Sequence, residues 1–178
     1  MRVVAGRFGG RPLLAPAGRA TRPTSDRVRE ALFSILGEIV VGAGLLDLFA
    51  GSGALGLEAL SRGASEATFV DSSQAAVAAI RRNLEALGVE AEVRRQDALA
   101  YLRGASRDAR QYDLVFLDPP YRRAVALGPE LSMALPGLLA PEARVVAESD
   151  RRAPLDLDLN LLDERRYGDT LIRIHGSR

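Results

Sequence analysis

The chain has 178 residues, 47% of them hydrophobic, and no cysteine, which fits one domain whose core needs neither disulfides nor zinc–thiolate sites. No stretch approaches the ~18 apolar residues of a membrane span, and Met1–Gly10 is too polar for a signal peptide, so a soluble cytoplasmic protein is expected. Net charge is only +1, yet residues 1–30 carry seven arginines against Asp26 and Glu30, net +5, leaving −4 on the rest.

Residues 1–22 hold Gly6, Gly9, Gly10 and Gly18 with Pro12 and Pro16. The apolar pairs Val3-Val4 and Leu13-Leu14 flank Gly9-Gly10 and predict a basic hairpin arm with a tight turn there. Residues 23–178 form the main domain. Its first helix begins at Thr24 or Ser25 and buries Val28, Ala31, Leu32, Ile35 and Leu36, with Gly37 closing it. Strands and helices then alternate. Leu45–Phe49 is a strand, Ala54–Arg62 a helix, Ala67–Val70 a strand ended by Asp71, and Ser73–Leu87 a helix stopped by Gly88. Glu90–Arg95 is a strand, Ala98–Arg103 a short helix and Tyr112–Leu117 a strand. A helix follows within Ala124–Leu135, then the strand Arg144–Glu148. Leu157–Tyr167 and Thr170–His175 close the chain as an antiparallel pair turned at Gly168-Asp169. Such alternation predicts a parallel sheet covered on both faces, with ligands at the carboxyl ends of its strands.

Acids and glycines gather at those ends. Gly51-Ser52-Gly53-Ala54-Leu55-Gly56 is a G-x-G-x-x-G between strand and helix, and Asp71 lies 20 residues after Gly51. Glycines let backbone approach a ligand, and the acid suits ribose hydroxyls. Asp47, four residues before Gly51, would oppose a diphosphate and suits an ammonium group. Asp97, ending the third strand, suits an adenine amino group or a helix cap. The set describes a nucleoside with an amino-acid tail better than a dinucleotide.

Asp118-Pro119-Pro120-Tyr121 follows the fourth strand. Two prolines stiffen the loop and fix a carboxylate, a free carbonyl and an aromatic ring in relation to one another. A nucleobase amine is a poor nucleophile because its lone pair is delocalised into the ring. Acceptors on its hydrogens localise that pair, and a stacked ring holds the base plane. Other chemistries have little to stand on. The missing thiolate removes C5-pyrimidine methylation, and the lone His175 has no nucleophile elbow beside it and reads as a surface or strand-end residue. No His or Cys cluster offers a metal site. All 24 cationic side chains are arginine, which reads as coding bias. Their clustering carries more information, and marks Arg7, Arg11, Arg19 and Arg22, with Arg122 and Arg123 beside the D-P-P-Y loop, as contacts for a polyanion.

Leu46–Ala64 resembles the cofactor motif of the bacterial 16S rRNA guanine-N2 methyltransferases, and Arg22–Leu36 resembles their N-terminal signature. Val3, Ala5-Gly6 and Gly10-Arg11 match their opening segment, while Gly104–Arg110 and Arg151–Leu161 find no clear match. The resemblance implies an α/β, Rossmann-like fold: a seven-stranded, mostly parallel sheet with the last strand antiparallel, preceded by a β-hairpin extension. It implies S-adenosyl-L-methionine held by Asp47, Phe49, Gly51, Gly53, Asp71, Ser72, Asp97 and Ala98. It places Asp118, Pro119 and Tyr121 at the N2 amine of a guanine in 16S rRNA, free or within the small ribosomal subunit, with the enzyme a monomer. A DNA or RNA adenine-N6 or cytosine-N4 methyltransferase would share both loops, but a DNA enzyme usually needs a sizeable recognition region. A nicotinamide-dependent oxidoreductase would need a substrate domain, and a non-catalytic RNA-binding module would leave Asp118–Tyr121 idle.

Overall fold

The computed structural model describes residues 1–17 and 24–177, with only the backbone of Tyr121 and Arg122. Helix α1 (Asp26–Leu36) starts where Ser25 caps it, its hydroxyl accepting from the Val28 N–H at 3.3 Å, and stops at Gly37 with φ +54°. Its buried stripe is Arg29, Leu32, Phe33 and Leu36, one position away from the expected face, and Ile35 is exposed. The cause is polar. Arg29 is fully buried, and its Nη2 donates to Asp26 at 2.7 Å and to the Arg2 carbonyl at 2.6 Å. Arg62 lies 5.0 Å over the Phe33 ring on the same side.

The remaining elements follow the expected alternation. They are β1 (Gly44–Leu48), α2 (Ala54–Ser61), β2 (Glu66–Asp71), α3 (Gln74–Leu87), β3 (Glu92–Arg95), α4 (Ala98–Arg107), β4 (Tyr112–Leu117), α5 (Tyr121–Ala134), β5 (Leu139–Asp150), β6 (Asn160–Tyr167) and β7 (Thr170–Gly176). The sheet order is β3-β2-β1-β4-β5-β7-β6, and β7 alone runs against the others. Alternate residues of the central strands feed two cores. Leu45, Phe69, Phe116 and Val146 pack toward α1, α2 and α3, whereas Leu46, Val70, Leu117 and Ala147 pack toward α4 and α5. His175 stands at the end of β7, one of its two expected places, but is only 3% exposed, and burial pushes its imidazole below the ordinary range. The segments without a family match also find places. Gly104–Arg107 ends α4 and Arg110 pairs with Glu92 at 2.6 Å, while Leu155 is buried beneath a crossing so tight that a Cβ on Gly128 would meet the Asp156 carbonyl at 2.4 Å.

The arm is hairpin-like but built differently from the expectation. Arg2 bridges Pro12, and Val3 and Arg11 share a bond of 2.9 Å, but the turn spans Gly6–Gly10 rather than Gly9-Gly10 alone. Gly6 and Gly10 both take positive φ, +80° and +83°. Val3, Phe8 and Leu13 are buried in the core shared with α1, α2 and α3, so residues 1–17 pack as part of that face. A Cβ on Gly6 would stand 2.0 Å from the Ser61 carbonyl, which shows how closely the arm lies on α2. The buried Glu58 carboxylate accepts from the N–H groups of Val4 and Ala5 at 2.7 and 3.0 Å, and the Ser61 hydroxyl accepts from Phe8 at 2.9 Å.

Candidate functional site

From β1 the chain order runs to β2 on one side and to β4 on the other, which opens a crevice at the carboxyl edge. Asp47, Phe49, Gly51, Gly53, Asp71, Ser72, Asp97, Ala98, Asp118 and Pro119 all stand along that edge, on β1 to β4 or the residues just after them. The expected turn glycines do specific work. Gly51 and Gly53 take φ of +58° and +77°, and Phe49 takes +61°, a conformation that costs free energy in a residue with a side chain. In front of Gly51 a Cβ would meet nothing nearer than the Phe49 carbonyl at 3.9 Å, so the loop leaves room for a ligand against its backbone. Gly56 has the opposite reason: a Cβ there would lie 2.3 Å from the Phe69 ring, because α2 starts tightly against the sheet.

The acids differ in what they already hold. Asp71 accepts from Gly51 N–H at 2.9 Å and Ser73 N–H at 2.8 Å, and so pins the glycine loop to β2. Asp97 caps α4, accepting from Ala100 N–H at 3.1 Å, and is otherwise exposed. Both roles leave acceptor capacity over, since a carboxylate offers about four lone-pair sites. Asp47 is 2% exposed and accepts one bond, from Gly56 N–H at 3.0 Å. No arginine pairs with it among the described residues. Burial raises its pKa to about 8, against the Gly56 bond and with help from the charge of Asp71. A buried acid without a cation is costly to ionise, and such groups mark candidate ligand sites. Asp118 likewise has no hydrogen-bond partner among the described residues. Burial, then the charges of Glu148 and Asp47, push its carboxyl well above the ordinary range.

Two contributors escaped the sequence reading. Glu148, on β5, is 4% exposed and accepts from the Thr24 hydroxyl at 2.5 Å. An acid closing the apolar run Val145–Ala147 was the available signal. Asn83, on α3, donates to the carbonyls of Leu14 and Ser52, both at 3.0 Å, and so ties the arm to the glycine loop.

The basic candidates are less convergent. Arg7, Arg11 and Arg123 are exposed, and none is ion-paired among the described residues. Arg123 sits in the first turn of α5, beside the Asp118 loop, its N–H donating to the Pro120 carbonyl at 2.8 Å. Arg7 instead hangs from Ser61 at the far end of α2, roughly 12 Å along the helix from the glycine loop. Arg19 and Arg22 lie outside the described residues, as do the side chains of Tyr121 and Arg122. Among the described residues no group of three or more His, Cys, Asp or Glu is placed to hold a metal ion, and no helix is long and apolar enough to cross a membrane.

A family model described as "Conserved hypothetical protein 95" matches residues 1–176. The putative rRNA methyltransferase YlbH of Bacillus subtilis is 38% identical over 183 residues, spanning 100% of both chains. The ribosomal RNA small subunit methyltransferase D of Escherichia coli is 40% identical over 151 residues, 84% of this chain and 75% of its own. Among solved structures, the putative methyltransferase yhhF from Escherichia coli superposes with a TM-score of 0.86 at 37% identity, covering 100% of this chain and 98% of that one.

Proposed function

The chain belongs to the Conserved hypothetical protein 95 family, and we propose that it transfers a methyl group from S-adenosylmethionine to the exocyclic N2 amine of a guanine in small-subunit ribosomal RNA. The observation that carries this reading is the unpartnered Asp118 carboxyl at the head of a proline-stiffened loop, one strand away from an uncompensated buried Asp47. The name of the Escherichia coli relative gives the substrate class, small-subunit rRNA.

The site fits the cofactor. Asp47 meets an ammonium group, Asp71 a ribose and Asp97 an adenine amine, with the backbones of Phe49, Gly51, Gly53, Ser72 and Ala98 lining the cradle between them. When bound, the cofactor supplies an electrophilic methyl group on a sulfonium sulfur. The chain's own residues do the rest. Asp118 and the Pro119 carbonyl accept from the amine hydrogens and turn the nitrogen lone pair out of conjugation. Tyr121, opening α5, stacks on the base, and Asp118 takes the proton released when the N–C bond forms. Positioning supplies much of the rate. Arg123 neutralises phosphates next to the target, and Arg7 and Arg11, with Arg19, Arg22 and Arg122, hold the flanking strand. The protein works as a monomer in the cytoplasm.

Mass mapping of methylated nucleosides in rRNA from a strain lacking the protein tests this directly: one N2-methylguanine should vanish from the small subunit and return when the purified enzyme is added. An unchanged rRNA map would refute the assignment, and so would tighter binding of NAD than of S-adenosylhomocysteine.

A further inference from the structure

The sheet brings to the target loop a second carboxylate that neither motif contains. β4 ends with Leu117 opposite Ala147 of the parallel β5, so Asp118, the first residue past its strand, and Glu148 follow at the next rank. Residues at one rank of a parallel pair face the same side, about 5 Å apart. Phe116 and Val146, two residues earlier, both pack toward α1, which fixes that side. Thr24, just before α1, confirms it by donating to Glu148 Oε2 at 2.5 Å. Glu148 Oε1 has no partner among the described residues, although the residue is only 4% exposed. No arginine pairs with Glu148 there either. Glu148 Oε1 is not among the polar atoms sealed from solvent without a partner, so it is an acceptor open to a ligand rather than one closed inside the core. Its position next to Asp118 calls for a ligand bearing hydrogen-bond donors.

We propose that Glu148 accepts a hydrogen bond from the ring N1–H of the target base, and so makes the site select guanine over other bases that carry an exocyclic amine. The inference rests on the methyltransferase reading above. Guanine presents N1–H and the N2 amine as adjacent donors. Adenine and cytosine present an amine beside a bare ring nitrogen, an acceptor. With Asp118 and the Pro119 carbonyl on the amine, an acceptor one strand further along matches guanine and faces a lone pair on the other two. Thr24 takes one oxygen of Glu148 and leaves the other for the base. Two arriving donors also ease the burial and the carboxylate repulsion that together push the Asp118 carboxyl above its ordinary range. A site built to hydrogen-bond one group rejects analogues lacking it far more strongly than a pocket that reads shape alone.

The test uses a base that keeps the N2 amine and loses N1–H. Small-subunit rRNA fragments, naked or assembled with ribosomal proteins, are prepared with guanosine or 2,6-diaminopurine riboside at the target position, and kcat/KM is measured on each. The wild-type enzyme should prefer guanosine by roughly 100-fold or more. Glu148→Gln, whose amide can donate to a bare nitrogen, should shrink that preference at least tenfold, while S-adenosylhomocysteine affinity stays as in the wild type. A structural role would lower both substrates together and leave the ratio unchanged, and that result would overturn the proposal. Thr24→Val frees Glu148 without changing its charge and should shrink the preference several-fold. If Glu148→Gln does not fold, an unaltered ratio in Thr24→Val overturns the proposal in its place. A wild-type enzyme that methylates both RNAs equally also sinks it while sparing the methyltransferase reading. A wild-type enzyme inactive on both removes the two together.

Discussion

Binding of S-adenosylhomocysteine at pH 7 should expel a proton from Asp47. The carboxyl is buried, and burial lifts its pKa to about 8, so about 0.9 of the ligand-free protein is protonated there at pH 7. An ammonium group seated against it favours the ionised form and draws the pKa back toward 3.8, the ordinary value. Complex formation should then release close to one proton, about 0.9. Affinity should rise nearly tenfold per pH unit from about pH 5 to pH 7 and level off above 8. Titration calorimetry in several buffers at pH 7 measures this, because observed heat plotted against buffer ionisation enthalpy has the number of protons as its slope. The ligand's own amine is mostly protonated at that pH and contributes little. Asp47→Asn should abolish the slope and weaken binding more at pH 8 than at pH 6. A zero slope in the wild type would refute the placement of a cation against Asp47.

The same acid makes stability depend on pH in the unusual direction. A folded-state pKa raised above the unfolded one gives stability that is complete below about pH 4 and lost as pH rises through 8, so the ligand-free protein should be about 2 kcal/mol more stable at pH 6 than at pH 8 from Asp47 alone. Urea unfolding at the two pH values checks it, with Asp47→Asn flattening the difference; greater stability at pH 8 would contradict the assignment. Asp118→Ala should cost on the order of 2–4 kcal/mol of transition-state stabilisation with cofactor affinity nearly intact. Asp71→Ala should weaken the cofactor first, since it also unpins Gly51 and Ser73. Full turnover on rRNA by Asp118→Ala would exclude it from the reaction. Arg7→Ala and Arg11→Ala should each lower the slope of log RNA affinity against log salt by roughly 0.7–0.9, read by filter binding. An unchanged slope in both would move the phosphate contacts to Arg123 and its neighbours.

The glycine loop, its acids and the target loop were legible because each is a short run of residues whose chemistry is local. Gly51, Gly53 and Asp71 act within twenty-odd positions of one another, and β4 begins and ends where its apolar pattern does. What stayed hidden is held by distant pairs. Thr24 and Glu148 are 124 residues apart, Ala5 and Glu58 are 53, and Leu14 and Asn83 are 69. No periodicity announces a buried arginine either. The stripe Arg29, Leu32, Phe33 and Leu36 is as regular as the apolar one expected on α1, and only the carboxylates and the Arg2 carbonyl around Arg29 decide between them.

Those distant pairs change what the basic arm can be asked to do. Its cations looked separable from the catalytic domain, yet Val3, Phe8 and Leu13 are core residues and Glu58 receives two of the arm's N–H groups. Removing residues 1–17 would take two N–H donors from the Glu58 carboxylate, leaving it Arg29 and Arg62, and would expose the apolar face of α2 that Val3, Phe8 and Leu13 cover. Breaking a buried polar set from one side is strongly destabilising even where the intact set adds little. The loss would also travel. Asn83 spans Leu14 and the carbonyl of Ser52, so the residue between Gly51 and Gly53 is held partly by the arm. A truncated protein with poor cofactor binding would therefore say nothing about RNA. Single changes at Arg11 and at Arg7, which holds no carboxylate among the described residues and lies 5.1 Å over the Phe8 ring, leave the hydrogen bonds of that framework standing. They separate grip from fold, which truncation cannot do.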